Sequence, residues 1–381
     1  MTLSVETRNR LNSAFRPHAP IEDPSSFVGR VAERNSVEYA IHQPGLQVVI
    51  YGERGAGKTS LANVCTNDIA RARIFCEKAA LFNDICKAIA LEYKKISPSR
   101  LVYNAVNDTI ELEGSVYPAD RLNGNLLRQI LPSDQELVIV LDEIDRLENR
   151  DVVAQLAELA KNISTYQANI TIIFVGVATT ADELLAGHIS NFRNLRQVSL
   201  DRMQSSELLS IISNGERVLS LAFDEDVKSR IIELCDRLPY YLHLLATNAA
   251  KSALERNCSV VTNEDLAIGI QSAATDADHT LRTAYDHAIL SVKRSEIYRQ
   301  ALWALASLSG STHTVGSIAS ELNNLSTSEG GETVSVQAVG QALKNLAGEK
   351  KGRILTSKNT GLYAFTNPLM KGFVRLIREQ P

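Results

Sequence analysis

The sequence predicts an α/β protein: a parallel-sheet core, then an all-helical module, then a C-terminal winged helix-turn-helix. Three observations carry this reading. Gly52-Glu53-Arg54-Gly55-Ala56-Gly57-Lys58-Thr59 fits G-x-x-x-x-G-K-[ST], between an apolar run and a helical stretch that starts at Ser60. Before about residue 203, short apolar runs alternate with helical periodicity, the pattern of parallel strands joined by helices. Beyond it strand signals fade, until a hairpin signal follows three helices near the end of the chain.

Residues 1–20 read as a polar tail broken by Pro17 and Pro20. Leu46 to Tyr51 is a buried strand, Leu61 to Ala72 a helix, Arg73 to Cys76 a short strand and Leu81 to Tyr93 a second helix. Ser97-Pro98-Ser99, Asn104, Asn107-Asp108 and Gly114 punctuate residues 97–120, which read as an insertion with strand-like pieces. Leu137 to Leu141 is unbroken and apolar, as expected of a central parallel strand covered on both faces. Val152, Leu156, Leu159 and Ile163 form a helical stripe. Ile170 to Val175 is a further strand, and Gln197 to Leu200 an edge strand.

From Ser205 to Tyr285 only helices are expected, with acidic first turns at Asp224-Glu225-Asp226 and Asn263-Glu264-Asp265. Glu296 to Leu308 and Val315 to Leu322 are helical. Ser335 can cap a helix carrying Val336, Val339, Leu343 and Leu346 on one face. Ile354-Leu355-Thr356 and Leu362 to Phe365 flank the turn signal Lys358-Asn359-Thr360-Gly361, and Leu369 to Arg378 is a final helix. The expected domains are a tail (1–20), a core (21–203), a helical lid (204–285) and a winged helix (286–381).

Composition is that of an ordinary globular protein, with 381 residues, 44% hydrophobic and 22% charged. No apolar run is long enough to span a bilayer, and Met1 to Arg10 lacks a signal-peptide core. The five cysteines are scattered without C-x-x-C spacing, which suits a reducing cytosol and argues against structural zinc. A cytoplasmic protein with no membrane partner is expected. Residues 286–381 hold 11 Lys/Arg against 7 Asp/Glu, so a mildly basic C-terminal quarter follows an acidic body. That asymmetry points to an anionic partner.

The loop pattern points to nucleotide binding. Its glycines let backbone amides wrap a phosphate, and the helix that follows presents its positive end to the anion. Residues Gly52 to Ser60 would thus cradle ATP. Lys58 would reach the β/γ-phosphates and the Thr59 hydroxyl would ligate Mg²⁺. A chance match arises in roughly one per cent of chains this long, so a mere glycine-rich turn is a poor alternative. Hydrolysis also needs a magnesium carboxylate and a group that orients water. Val138-Ile139-Val140-Leu141-Asp142-Glu143-Ile144-Asp145 offers both, because carboxylates ending a buried strand are costly unless they meet a cation or water. Asp142 would hold Mg²⁺ and Glu143 would polarise the attacking water, leaving Asp145 and Arg146 for structural contacts.

These residues resemble those of AAA+ ATPases, and within them the origin-recognition-like replication-initiator clade. Phe27-Val28-Gly29-Arg30-Val31-Ala32-Glu33 is similar to the clade's opening motif, which contacts adenine. Leu141-Asp142-Glu143-Ile144-Asp145 resembles its second Walker motif, and Val175-Gly176-Val177-Ala178-Thr179-Thr180 its sensor-1 strand end. Leu238-Pro239-Tyr240-Tyr241-Leu242 sits where the lid helix approaches the nucleotide. The resemblance spans roughly residues 21–285, and more weakly the winged helix. It departs in two places. Thr179 stands where sensor 1 is usually asparagine. Pro239 stands where a lid arginine often lies, as in STAND signalling NTPases, whose lid proline packs on adenine. Slow hydrolysis serving as a switch is implied.

In AAA+ rings an arginine before the edge strand reaches the neighbouring subunit's γ-phosphate. Arg193, and next Arg196, are candidates for that finger in a nucleotide-dependent homo-oligomer; the alternative is a solvated surface arginine. Gln337, Gln341 and Lys344 on the predicted recognition helix, with Lys350, Lys351, Arg353 and Lys358 near the wing, are candidate contacts to double-stranded DNA. The winged helix could instead serve protein contacts. The sequence therefore supports an ATP-driven, DNA-associated assembly switch with a further protein partner. The alternative is a STAND-like switch that recruits a protein effector.

Overall fold

The computed structural model describes residues 3–98, 101–112, 114–132, 135–187, 194–276, 279–290, 295–310, 312–328, 333–358, 361–367 and 369–379. The chain divides into two compact units, residues 18–203 and a terminal unit of 1–17 with 204–381. Helix α1 (Val5–Ala14) belongs to the terminal unit.

In the 18–203 unit, α2 (Val31–Ile41) leads into β1 (Gln47–Gly52), α3 (Lys58–Cys65), β2 (Arg71–Phe75) and α4 (Phe82–Ile96). The insertion follows as β3 (Leu101–Asn104), β4 (Thr109–Leu112) and β5 (Ser115–Pro118). Then come α5 (Gly124–Ile130), β6 (Leu137–Asp142), α6 (Arg150–Tyr166), β7 (Ile170–Val177), α7 (Ala181–Leu184) and β8 (Leu195–Leu200). Five strands make one parallel sheet in the order β2-β6-β7-β1-β8. Because successive strand residues face opposite sides, β6 serves two cores. Leu137, Ile139 and Leu141 pack with α4 and α6 residues such as Ile89 and Leu156, whereas Val138 and Val140 pack with Val37 and Leu61. This double burial explains the uninterrupted apolar run. The insertion is a separate antiparallel sheet whose Leu101, Ile110 and Leu112 join the first of these cores.

The helix expected over Leu61–Ala72 stops at Cys65. The Thr66 hydroxyl donates to the Ala62 carbonyl at 2.7 Å, and Arg71 and Ala72 are taken up by β2, opposite Val138 and Ile139. The strand expected from Gln197 begins two residues earlier, because Leu195 and Arg196 pair with Gln47 and Val48 of β1.

The terminal unit continues as α8 (Ser205–Leu219), β9 (Ala222–Phe223), α9 (Glu225–Leu234), α10 (Pro239–Glu255), β10 (Val260–Val261), α11 (Asn263–Asp276) and α12 (His279–Ile289). It ends with α13 (Ser295–Ser307), β11 (His313–Thr314), α14 (Val315–Ser328), α15 (Val336–Leu346), β12 (Leu355–Lys358), β13 (Leu362–Phe365) and α16 (Leu369–Arg378). A short parallel β9–β10 pair interrupts the stretch expected to be wholly helical, and α14 outruns the expected Leu322. The last strands form an antiparallel sheet in the order β11-β13-β12.

One expectation about the termini is corrected. Residues 1–20 are not all tail: Ser4 caps α1, and Leu11, Ala14 and Phe15 are buried. The Phe15 ring lies against Gly215, where an added Cβ would fall 2.1 Å from it, and meets Phe223 and His243 edge-on. Arg10 donates to the Val218 carbonyl at 2.8 Å. Residues 204–285 and 286–381 fall in the same compact unit. From α16, Lys371 and Arg375 both pair with Asp236 at 3.2 Å, Arg375 also donates to the Glu233 carbonyl, and Tyr241 donates to the Leu369 carbonyl. Among the described residues, no helix is long and apolar enough to cross a membrane.

Candidate functional site

The site lies at the carboxyl ends of β1 and β6 in the 18–203 unit, where an open α/β sheet presents loops to a ligand. Two glycines shape the loop after β1. At Gly52 a Cβ would sit 2.5 Å from the Leu200 carbonyl oxygen, so only glycine fits beside β8. Gly57 holds φ at +94° immediately before α3, a torsion other residues resist. The chain therefore turns sharply, with the first amides of α3 at the loop.

Lys58 is buried, and its Nζ donates to the Gly52 and Glu53 carbonyls at 3.1 and 2.8 Å. Burial pushes its pKa down to about 8, against the opposing pull of Asp145, Asp142 and Glu53. The Thr59 hydroxyl donates to Asp142 at 3.0 Å, and Asp142 also accepts from the Glu143 amide at 3.0 Å. Thr59 and Asp142 thus meet although far apart in sequence, and together they present hard oxygen donors that suit Mg²⁺. No group of three or more His, Cys, Asp or Glu among the described residues could hold a metal. A magnesium ion at Thr59 and Asp142 would therefore complete its shell with phosphates and water, its usual mode.

The remaining candidate residues are placed as follows. Glu143 takes a left-handed conformation (φ +58°) after β6, and its carboxylate pairs with Arg146 at 2.7 Å in solvent. Asp145 accepts from the Val177 amide at 2.8 Å, tying the end of β6 to that of β7. The Thr179 hydroxyl and amide both donate to Glu183, at 2.7 and 2.8 Å. Glu53 pairs with Arg202 at 2.9 Å, Arg54 is exposed, Gly55 and Ala56 complete the turn, and Ser60 accepts from the Ile21 amide at 3.0 Å. Phe27 packs against the core, with Val28 and Gly29 half-buried beside it. Arg30 is buried, pairs with Glu33 and donates to the Asp201 carbonyl, which fixes the start of α2 to the end of β8.

Arg196 lies within β8, not before it, and its guanidinium sits 5.5 Å over the Tyr39 ring. Arg193 lies outside the described residues. Pro239 begins α10 in the terminal unit, a position where proline's missing N–H costs nothing. Of the candidate DNA contacts, Gln337, Gln341, Lys344, Lys350 and Arg353 are exposed. Gln341 donates to Asn345 at 3.0 Å, Lys351 donates to the Leu290 carbonyl over the Tyr298 ring, and Arg353 pairs with Glu349. The side chain of Lys358 lies outside the described residues.

Sequence reasoning missed Arg73. It reaches from β2 to Asp142 at 3.2 Å. The available signal was Arg71-Ala72-Arg73-Ile74, where two arginines alternate with apolar residues and so share one face of a strand.

The site has the geometry of a phosphate-binding P-loop, and the matched family model covers it. Residues 26–173 match the family model described as an AAA ATPase domain. An ORC1-type DNA replication protein of Haloarcula marismortui is 25% identical over 229 residues, 56% of this chain and 53% of that protein. One from Methanoregula boonei is 21% identical over 204 residues, 51% of this chain and 47% of its own. The chain thus spans about half the length of the curated relatives it matches. In overall fold it resembles a Walker-type ATPase of Pyrococcus abyssi, with a TM-score of 0.59, 16% identity, and coverage of 94% of this chain and 99% of that one. It also resembles Cdc6p of Pyrobaculum aerophilum, with a TM-score of 0.51, 15% identity, and coverage of 97% and 98%. The Orc1 protein of Aeropyrum pernix, solved in complex with DNA, gives 0.50 at 16% identity, with 97% and 96% covered. Residues 26–173 are thus similar to an AAA ATPase domain, and the chain is similar over about half its length to ORC1-type replication proteins.

Proposed function

We propose that this protein binds ATP with Mg²⁺ in the 18–203 unit, hydrolyses it, and uses the nucleotide state to switch its assembly on double-stranded DNA. One observation carries the reading: the Thr59 hydroxyl on the Asp142 carboxylate, beside the buried Lys58. Thr59 and Asp142 would hold Mg²⁺, which supplies charge neutralisation at the phosphates. Lys58 exchanges its loop carbonyls for the β/γ-phosphates. Glu143, released from Arg146, accepts a hydrogen bond from the attacking water and aligns it. Thr179 acts as sensor 1 once its hydroxyl leaves Glu183. Arg193 or Arg196 completes the site of a neighbouring copy.

The DNA arm rests on the ORC1-type relatives and on the charge split of the chain. The elements α13 to β13 suit a winged helix, with α15 as its recognition helix and Lys344 and Lys350 among its exposed cations. The test is duplex binding measured with ATP, with ADP and without nucleotide, alongside the mass in solution. Tighter, larger assemblies with ATP support the proposal; binding indifferent to nucleotide contradicts it. A second reading, a STAND-like switch that recruits a protein effector, is favoured by the internal bonds of Gln341, Lys351 and Arg353. It gains if no duplex binding is found even at low salt.

A further inference from the structure

Arg73 is half-buried, with 17% of its side chain exposed, and rests between two carboxylates. Its Nη2 lies 3.2 Å from Asp142 Oδ2 and its Nη1 3.5 Å from Glu22 Oε1. The guanidinium is stacked 4.5 Å over the Phe75 ring. The Asp142 oxygen it touches is also the one to which Thr59 donates at 3.0 Å. A fixed cation therefore sits on the carboxylate that suits Mg²⁺. Like charges sharing one partner repel across a partly desolvated gap, where Coulomb energies exceed those in bulk water. Glu22 offers the guanidinium a second anionic seat, so Arg73 can give up Asp142 without losing all its ion pairs. Phe75 keeps it in place through either contact.

We propose that Arg73 is a positioning residue that competes with Mg²⁺ for Asp142 and so sets the Mg²⁺ concentration at which the site takes up ATP tightly. The inference rests on the nucleotide reading above. Without nucleotide, Arg73 neutralises Asp142, and Mg²⁺ alone gains little there. With nucleotide, the added phosphate charge tips the carboxylate toward the metal and the guanidinium toward Glu22.

The test is binding of a fluorescent ATP analogue across a Mg²⁺ titration, for wild type, Arg73→Gln and Arg73→Lys, with melting temperatures recorded. Arg73→Gln is expected to reach half-maximal binding at about three- to tenfold lower Mg²⁺, the scale of removing one partly screened unit charge. Arg73→Lys, which keeps the charge, should stay within about twofold of wild type. Mg²⁺ alone should leave the wild-type melting temperature unchanged and raise that of Arg73→Gln. An unchanged or raised Mg²⁺ midpoint in Arg73→Gln overturns the inference while leaving the nucleotide site standing. If wild-type affinity ignores Mg²⁺ altogether, the magnesium reading and this inference fall together. Should Arg73→Gln not fold, a rise in wild-type melting temperature with Mg²⁺ alone still overturns the proposal, and no rise supports it.

Discussion

The candidate nucleotide site and the candidate DNA-contact surface differ in how much of their chemistry the fold fixes. At the site, Lys58, Thr59 and Asp142 are carried by the ends of buried strands and the first turn of a helix, and each is held by short polar contacts. On the C-terminal surface, Lys344, Lys350 and Arg353 stand on exposed positions, and Lys351 and Arg353 are taken up by contacts within their own unit. Charge at a strand end under a glycine turn has one place to go. Charge on a solvated surface can pair locally, so its count overstates what is offered to a partner.

The largest effect that would break this comparison is at Lys58. Lys58→Ala should weaken ATP binding by about two orders of magnitude or more, the scale of deleting one partner of a buried charge pair. Equilibrium binding of a fluorescent ATP analogue checks it. Binding within a few-fold of wild type would make the site as loosely specified as the surface.

Of comparable size is the anchoring of the amino-terminal helix. Phe15 is 1% exposed, and Phe15→Ala should cost about 3–5 kcal/mol of stability, read from chemical denaturation. A cost below about 1 kcal/mol would return α1 to the status of a tail.

On the surface, Lys344→Glu with Lys350→Glu should weaken duplex binding about tenfold or more at low salt. The pair should also flatten the dependence of affinity on salt by about two phosphate contacts. The charge reversal of Lys351 and Arg353 is a poorer probe, because both contribute to contacts inside the unit. Unchanged binding by the Lys344/Lys350 variant would favour the effector-recruiting reading.

The pH response of the site is a moderate effect. Lys58, held down to about 8 by burial, loses its charge as pH rises through that value in the free protein. Bound phosphates favour the charged form and raise the pKa. ATP affinity should therefore fall as pH rises through about 8, and binding near that pH should take up protons. Calorimetry in two buffers of different ionisation enthalpy reads the uptake; its absence would place Lys58 away from the phosphates. The smallest effect is Arg146→Ala. Its pair with Glu143 is solvent-exposed and screened, so turnover should rise by no more than about fivefold.

What the sequence disclosed follows the range of the contacts. The glycine loop and the carboxylates after Leu137–Leu141 were legible because local spacing on a strand and turn dictates them. Arg73 was not, since its role exists only once β2 pairs beside β6 and lays it against Asp142. Phe15 was read as tail because the recess it fills, at Gly215, lies in another helix. The early stop of α3 was hidden because helical periodicity continues past Cys65, and sheet pairing of Arg71 and Ala72 overrides it.

The most direct test of the central claim is the pair of rates that Glu143 controls. Glu143→Gln keeps the shape of the side chain but loses the charge that aligns water. It should bind ATP with Mg²⁺ as tightly as wild type while its single-turnover hydrolysis falls by about 10²- to 10⁴-fold. Hydrolysis by Glu143→Gln at the wild-type rate would contradict the account, because the carboxylate after β6 would then not act on the water at all.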